Sequence, residues 1–384
     1  MGSGKTTWAI QKMNEDKENN YIYITPFLDE VKRIKEQCSD KKFYEPLQRG
    51  KGKLDNFHTL LADNKNIAST HALFQMSTDI TRELIKANNY ILILDEVFDV
   101  IEQTPLKKND MEAILEHAHI NEECFLIWNN LEYDGRYNDI KTMALNKSLI
   151  YVNNTLLMWN FPVNVFNAFK ECYIMTYLFD AQIQKYYYDL HNIDYEYYTL
   201  KNRQLVPYND YVIDKFLIKK NINILLNDVI NKIGDNEFAL SVSWYKRATN
   251  NKELITKLKK NLYNYFQNKV KAKNKEIIWT TFKDYEKYLK GKGYFNNFIA
   301  CNERATNKYR EKTKLAYCVN IFLNPIIKQF FIDKGVNVLE DKYALSELLQ
   351  WLWRSAIRDD KPVNIYIPSS RMRYLLIEWL DNKI

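Results

Sequence analysis

The segment 90–99, YILILDEVFD, constrains the fold more strongly than any other part of the chain. Its first five residues are all apolar or aromatic, so a strand formed by them would be buried on both faces. Such strands lie at the centre of parallel sheets that helices cover on both sides. Two carboxylates, Asp95 and Glu96, follow immediately. We therefore predict an α/β fold with these carboxylates at the carboxyl edge of a parallel sheet, where ligands bind.

The first residues, MGSGKTT, match the second half of a phosphate-binding loop, GxxxxGK[ST]. Small residues allow a tight turn whose N–H groups face a triphosphate, and a helix N-terminus follows. Lys5 would reach the β- and γ-phosphates, and Thr6 would bind Mg²⁺. The residues expected to bind ATP are Gly2, Ser3, Gly4, Lys5, Thr6, Thr7 and Asp95.

The loop lacks its first positions and its preceding apolar strand, so we expect an upstream start or a shortened chain. Taken alone, the motif could also be a flexible Gly/Ser terminus or a tag remnant.

The carboxylates Asp95 and Glu96, about ninety residues after the GKT sequence, are of the type that acts with a phosphate-binding loop in ATP hydrolysis. Asp95 would coordinate Mg²⁺ through water, with Thr6 as the other protein ligand of the metal. Glu96 would orient and deprotonate the attacking water. An acidic loop after a buried strand is the alternative interpretation, and the GKT sequence favours the nucleotide site.

Hydroxyl residues follow other predicted strands. The run 21–24 stops at Thr25 and Pro26, and the run 66–70 ends in Ser69, Thr70 and His71. Loops of this kind at strand ends are suited to a phosphate backbone or a nucleotide. For His71 a capping or buried histidine is the alternative.

Composition limits the class of protein. Hydrophobic residues make up 46% of the 384 residues, which is enough for two sizeable cores. The net charge of +7 is compatible with a polyanionic partner. Five cysteines without a CxxC pair indicate reduced thiols, and no apolar run approaches the ~20 residues of a membrane span. We expect no membrane association and a cytoplasmic location.

The second half repeats the α/β pattern, with predicted strands at 238–243 and 276–282. Residues 344–358 are predicted as one helix, on which Gln350, Arg354 and Arg358 share a face at i, i+4 and i+8. Two guanidiniums and an amide suit a γ-phosphate, although a surface salt-bridge row is the alternative. A basic helix over 251–273, rich in Lys and Tyr, could bind nucleic acid or be a solvated amphipathic helix.

Two domains are expected, at 1–200 and 205–384, joined by a polar linker at 201–204. Within the first domain, residues from about 100 to 165 are predicted to form an insertion of helices, with a hairpin as a further element.

An ordered set of motifs resembles the superfamily 2 DEAD/DEAH-like helicases of phage type, which are related to replication-origin-binding helicases. The matching segments are GSGKTT (2–7, motif I), ITPFLDEVKRI (24–34, motif Ia), IASTHALF (67–74), LDEVFDV (94–100, motif II), MTYLF (175–179, motif III), the region 302–325 (motif V) and QWLWRSAIR (350–358, motif VI). Motif II reads DEVF here, and the second arginine of motif VI stands one residue later than usual. The resemblance therefore leaves open whether Arg354 or Arg358 is the arginine finger.

The resemblance implies two tandem RecA-like P-loop domains, each a mainly parallel sheet flanked by helices, with ATP and Mg²⁺ bound between them. It implies an ATP-dependent DNA helicase or translocase, acting in phage DNA replication or recombination in the cytoplasm of a phage-infected or bacterial host cell. Single-stranded or forked DNA is the expected partner, with RNA and other replication proteins as further ones. The implied catalytic residues are Glu96, Gln350, Arg354 and Arg358. The implied nucleic-acid contacts are Thr25, Pro26, Ser69, Thr70, His71, Thr176, Thr280, Thr281 and Arg304.

Two other functions remain open. A phage packaging-motor ATPase should add a nuclease domain with clustered carboxylates at strand ends, and the second half of the sequence shows no such cluster. A nucleic-acid-binding scaffold with an impaired ATPase is compatible with the incomplete motif I.

Overall fold

The computed structural model describes residues 4–50, 52–104, 106–152, 156–208, 215–226, 228–302 and 308–384. The chain divides into two compact units. The N-terminal unit comprises Ser3–Tyr208 and Pro325–Val338, and the C-terminal unit comprises Asn209–Asn324 and Leu339–Ile384. Within the described residues, no helix is both long enough and apolar enough to cross a membrane.

The strands of the N-terminal unit fall into one parallel sheet and three smaller antiparallel groups. They are β1 (Tyr21–Thr25), β2 (Phe43–Tyr44), β3 (Asn66–Thr70), β4 (Ile91–Asp95), β5 (Ile101–Gln103), β6 (Ala118–Ile120), β7 (Leu126–Trp128), β8 (Leu149–Val152), β9 (Leu156–Asn160), β10 (Glu171–Met175), β11 (Tyr198–Lys201) and β12 (Gln204–Pro207). The parallel sheet has the order β10-β4-β1-β3-β2. It confirms the α/β prediction made from the apolar run at 90–94.

The helices of this unit are α1 (Lys5–Glu15), α2 (Leu28–Gln37), α3 (Lys53–Ala62), α4 (His71–Phe74), α5 (Asp79–Ala87), α6 (Lys108–Leu115), α7 (Asn138–Leu145), α8 (Val163–Phe166) and α9 (Ile183–Leu190). Those that follow β1 and β3 begin within three residues of the strand end. All five residues of β1 are buried, as expected for a strand covered on both faces. In the register of the sheet, Thr25 lies beside Thr70, and Met175 lies beside Asp95. The predicted strand-end residues therefore share one edge.

The segment between β4 and β10 is not the insertion of helices that we predicted. It contains the antiparallel sheet β5-β9-β8 and the hairpin β6-β7, together with three short helices. The hairpin was expected; the sheet was not. Its own core includes Ile114, Leu126, Trp128 and Leu157. Short apolar runs such as Leu149–Val152 fit a strand or a buried helix equally well by periodicity, which explains the error.

The predicted linker at 201–204 is instead the turn of the hairpin β11-β12. Asn202 and Arg203 have φ values of 51° and 65°, and two left-handed residues match the twist of adjoining antiparallel strands. The side chains of Leu200 and Leu205 pack against the core that contains Trp8 and Tyr23. The segment is therefore part of the N-terminal unit.

The C-terminal unit is built on a parallel four-stranded sheet with the order β13-β16-β15-β14. Its strands are β13 (Ile222–Ile224), β14 (Ile277–Thr280), β15 (Lys314–Tyr317) and β16 (Val363–Tyr366). The remaining helices are α10 (Phe216–Asn221), α11 (Asp228–Asn231), α12 (Val242–Asn250), α13 (Lys252–Asn264), α14 (Glu286–Leu289), α15 (Pro325–Asp333), α16 (Glu340–Leu352) and α17 (Ser370–Leu380). Of these, α15 belongs to the N-terminal unit.

The predicted strand at 238–243 is wrong. Ser241 is the N-cap of α12, and its hydroxyl accepts a hydrogen bond from the Trp244 N–H at 3.3 Å. A serine in this position competes with strand formation because it satisfies an otherwise unpaired helix N–H.

Candidate functional site

The N-terminus of α1 is shaped as a phosphate-binding helix start. Gly4 is the N-cap and has a φ of 78°, a left-handed conformation that glycine adopts without steric cost. Its carbonyl accepts the first helical hydrogen bond, from the Trp8 N–H at 2.9 Å. The N–H groups of Lys5, Thr6 and Thr7 precede that bond and have no helical acceptor. Together with the helix dipole they favour an anion. Gly2 and Ser3 lie outside the described residues.

Lys5 is connected to the acidic pair through Thr176. The Lys5 Nζ donates to the Thr176 carbonyl at 3.0 Å, and the Thr176 hydroxyl donates to Glu96 Oε2 at 3.1 Å. Thr176 directly follows β10, which ends at Met175. Three segments that are far apart in sequence, those of motifs I, II and III, therefore meet at the carboxyl edge of the sheet.

Two aromatic residues hold α1 beside β10. The rings of Trp8 and Tyr173 meet edge to face, with centroids 5.3 Å apart. Trp8 is also part of the buried core beneath the sheet. The helix that carries Lys5 is thus fixed by packing, which positions its first turn next to the end of β10.

Glu96 has an unusual backbone conformation. Its φ is 65°, in the left-handed region, and its N–H points toward the Met175 carbonyl at 3.4 Å. A residue with a Cβ pays on the order of 1 kcal/mol or more for this conformation. Such strained residues are concentrated at functional sites. Here the turn brings the carboxylate to the hydroxyl of Thr176.

Asp95 stands at the end of β4 and is largely buried. Burial raises the pKa of its carboxyl to about 7, and the neighbouring negative charge of Glu96 contributes to the increase. The nearby Tyr23 hydroxyl and the Lys5 ammonium act in the opposite direction. The backbone carbonyl of Asp95 lies 3.1 Å from His71 Nε2. Since a carbonyl only accepts, this nitrogen carries the proton, and His71 supports the strand end.

The donor set fits Mg²⁺. Thr6, Asp95 and Glu96 offer a hydroxyl and two carboxylates, which are the hard oxygen ligands that this ion prefers. A raised pKa in a carboxylate pair is the effect expected where a positive charge would be bound. Among the described residues, no group of three or more His, Cys, Asp or Glu side chains is arranged to hold a metal. Phosphate and water oxygens would complete the coordination of a bound ion.

Most of the predicted nucleic-acid contacts are buried. Thr25, Thr280 and Thr281 are fully buried, and Ser69 and His71 are nearly so. In this conformation their side chains cannot reach a phosphate. The predicted contacts with partial exposure are Pro26, Thr70 and Thr176, and the Thr176 hydroxyl donates a hydrogen bond to Glu96. Arg304 lies outside the described residues.

The predicted arginine face on one helix is wrong. Helix α16 ends at Leu352, so Gln350 lies in it, whereas Arg354 follows it and Arg358 lies in the 3₁₀ turn Ala356–Asp359. The hydroxyl of Ser355 caps that turn by accepting from the Ile357 N–H at 3.4 Å. Because the 3₁₀ turn begins separately from α16, Gln350, Arg354 and Arg358 do not lie on one continuous helix.

The two arginines have different surroundings. Arg354 is buried, with 5% of its surface exposed, whereas Arg358 is exposed. Burial raises the pKa of the Tyr317 hydroxyl and of the Cys301 thiol, and the positive charge of Arg354 opposes both increases. Arg354 is therefore a component of the interior of the C-terminal unit. Of the two, Arg358 has its guanidinium available to a ligand.

We expect Arg354→Ala to lower the free energy of unfolding by about 3 kcal/mol, since it removes a large side chain from the interior and leaves a cavity. Arg358→Ala should change it by less than about 0.5 kcal/mol. Urea denaturation of both variants measures the difference. Equal losses in the two variants would contradict this assignment.

Sequence reasoning missed two features of the site. Tyr23 lies in β1, two residues before Thr25, and its hydroxyl influences the carboxyl of Asp95. The left-handed conformation of Glu96 was also not expected. Neither feature has a local signal, since a buried tyrosine in a strand and a glutamate after a strand are both ordinary sequence patterns.

Comparison with known proteins gives matches over most of the chain. The family model described as the YonV C-terminal Rossmann-like domain matches residues 217–380. The model described as the YonV middle domain matches residues 101–159, within the segment between β4 and β10. The chain is 46% identical over 403 aligned positions to an SPbeta prophage-derived uncharacterized protein YonV of Bacillus subtilis (strain 168). That alignment covers 100% of this chain and 97% of the relative.

Proposed function

The chain belongs to the YonV family, and we propose that this member is an ATP-dependent translocase of the helicase type that moves along single-stranded nucleic acid. One observation carries the proposal. Lys5, Thr176 and Glu96 form a continuous series of hydrogen bonds at the carboxyl edge of a parallel sheet. This is where α/β proteins bind ligands, and the three residues have the chemistry that phosphoryl transfer requires.

Each residue has a role in ATP hydrolysis under this proposal. The ammonium of Lys5 and the free N–H groups of α1 bind the triphosphate. Glu96 accepts the proton of the attacking water. Thr6 and Asp95 hold Mg²⁺, which supplies charge neutralisation at the phosphate oxygens when it is bound.

Thr176 provides a means of coupling. Its carbonyl accepts from Lys5 and its hydroxyl donates to Glu96, so it contacts both the phosphate-binding and the proton-accepting residue. A triphosphate that takes over the hydrogen bonds of Lys5 would release the Thr176 carbonyl. The segment after β10 would then change its contacts with each cycle of ATP binding and hydrolysis.

The nucleic-acid part of the proposal rests on the order of the helicase-like motifs and on the prophage origin of the relative. We propose DNA as the substrate, during phage replication or recombination. We further propose that both units are RecA-like, which the Rossmann-like description of the C-terminal match supports in its coarser part.

The test is an ATP hydrolysis assay with Mg²⁺ on the full chain, without nucleic acid and with single-stranded DNA, forked DNA, duplex DNA or RNA. We expect hydrolysis that single-stranded or forked DNA stimulates at least about tenfold. Stimulation by duplex DNA alone would favour a packaging-type motor. Nucleic-acid binding without hydrolysis under any condition would favour a scaffold and contradict the proposal.

A further inference from the structure

Positive charge is concentrated in one part of the C-terminal unit. Residues 246–292 contain fourteen lysines and arginines but four carboxylates, a net charge of +10. The whole chain carries +7, so all other residues together carry −3. A charge density of this kind raises the electrostatic potential locally and attracts polyanions.

The fold places this segment in one layer. The helices α12 and α13, the π-helical turn Tyr265–Lys269 and α14 pack on one face of the four-stranded sheet. The residues of α13 and α14 that point inward are apolar, among them Leu258, Leu262 and Leu289, and they share a core with Trp279 of β14. The polar side of the layer therefore faces away from the sheet.

The basic side chains of this layer are exposed and largely without carboxylate partners. The exposed lysines of α13 and of the segment after it are Lys252, Lys257, Lys259, Lys260, Lys269, Lys271, Lys273 and Lys275. Among the described residues, the basic side chains of 246–292 form one ion pair. It joins Lys290 to Glu286 at 2.8 Å. We call the outer surface of α13 and α14 the lysine face.

Aromatic rings are exposed among these lysines. Tyr263, Tyr288 and Phe295 each expose between 39% and 49% of their surface. Lys252, Lys259 and Tyr263 are spaced i, i+7 and i+11, so they lie along one stripe of α13. The turn that carries Phe295 approaches the end of this helix, since a Cβ at Gly293 would lie 2.7 Å from Gln267 Nε2.

We propose that the lysine face binds the backbone of single-stranded nucleic acid, with the exposed rings stacking on bases. Helix α13 is about 20 Å long, which corresponds to several nucleotides. Lysines bind phosphates without regard to sequence, and aromatic stacking suits unpaired bases of any type. The side chains of the lysine face are exposed to solvent, whereas four of the strand-end hydroxyls, those of Thr25, Ser69, Thr280 and Thr281, are buried.

The biological role of this surface depends on the proposed translocase function, but its binding does not require ATP. The test is therefore equilibrium binding of a fluorescent 20-nucleotide oligo(dT), without nucleotide, over a series of salt concentrations. The variant is Lys252→Gln/Lys259→Gln/Lys260→Gln. The matched control replaces three exposed lysines outside the lysine face, Lys86→Gln/Lys334→Gln/Lys361→Gln. Thermal unfolding verifies that both variants fold.

We expect the lysine-face variant to bind at least about tenfold more weakly near 100 mM salt and to lower the slope of log K against log salt by about 2. The control should retain wild-type binding. Tyr263→Ala should weaken binding of oligo(dT) more than binding of a duplex of equal length, because stacking requires unpaired bases.

Equal affinities and equal slopes for the variant and its control would overturn the proposal. It would also be overturned if the variant lost binding to polyglutamate or to phosphatidylserine vesicles while keeping wild-type affinity for oligo(dT), since the face would then serve an acidic protein or a membrane surface. If the chain does not hydrolyse ATP but binds DNA through these lysines, the proposed translocase function is refuted. The proposal that the lysine face binds nucleic acid is then supported.

Discussion

Glu96→Gln is expected to lower ATP hydrolysis by about a thousandfold while nucleotide binding is retained. Glutamine has nearly the same shape as glutamate, so it can occupy the left-handed position and accept the hydrogen bond of Thr176. It cannot take up the proton of the attacking water. Single-turnover hydrolysis of radiolabelled ATP and equilibrium ATP binding, measured on the same preparation, separate the two effects.

The control for this prediction is Thr7→Ser, which changes an exposed residue in the first turn of α1 and keeps the hydroxyl. It should hydrolyse ATP at close to the wild-type rate. Wild-type turnover in Glu96→Gln would show that Glu96 is not the base. Loss of ATP binding in that variant would place Glu96 in substrate binding instead.

Asp95→Asn is expected to stabilise the protein at pH 8, by about 4 kcal/mol, and much less at pH 4.5. The pKa of Asp95 is raised from 3.8 to about 7 in the folded protein. Between these values the folded protein holds a proton that the unfolded chain has lost, so stability falls as pH rises. Above pH 7 the folded protein carries the full cost of a buried charge, which asparagine does not.

Urea denaturation of wild type and Asp95→Asn in metal-free buffer at pH 4.5 and pH 8 measures this difference. We expect a gain of about 1 kcal/mol at the lower pH. In the Glu96→Gln background the gain at pH 8 should shrink, because one cause of the raised pKa is removed. The same gain at both pH values would contradict a raised pKa for Asp95. Since the variant loses a predicted metal ligand, a more stable protein should also be a less active one.

The sequence predicts the elements of the sheets well where the signal is local. The runs that became β1, β4 and β14 are apolar, short and bounded by polar residues, and each is found where it was expected. The strands β8 and β9 were not predicted, because their apolar runs gave no periodicity that distinguishes a strand from a buried helix.

The site could be predicted in part for a geometric reason. Strands that run parallel bring their carboxyl ends to one edge, so Asp95 and Glu96 could be placed at a ligand-binding edge, whereas the contact of Thr176 with Glu96 was not predicted. Burial could not be predicted in this way. Thr25 and Thr280 end their strands as expected, yet both are fully buried. The position of Arg354 depends on where α16 ends. The helix ends at Leu352, and the hydroxyl of Ser355 caps the separate 3₁₀ turn that follows.

The most direct test of the phosphate-binding site is calorimetric titration of the chain with ATP and Mg²⁺, compared with Lys5→Ala. The Lys5 ammonium and the N-terminus of α1 contribute together, and a charge-assisted contact is worth about 1.5–3 kcal/mol. We therefore predict that wild type binds ATP and that Lys5→Ala binds at least about tenfold more weakly. Undetectable binding by the wild type, or equal binding by the two proteins, would contradict a nucleotide site at this helix.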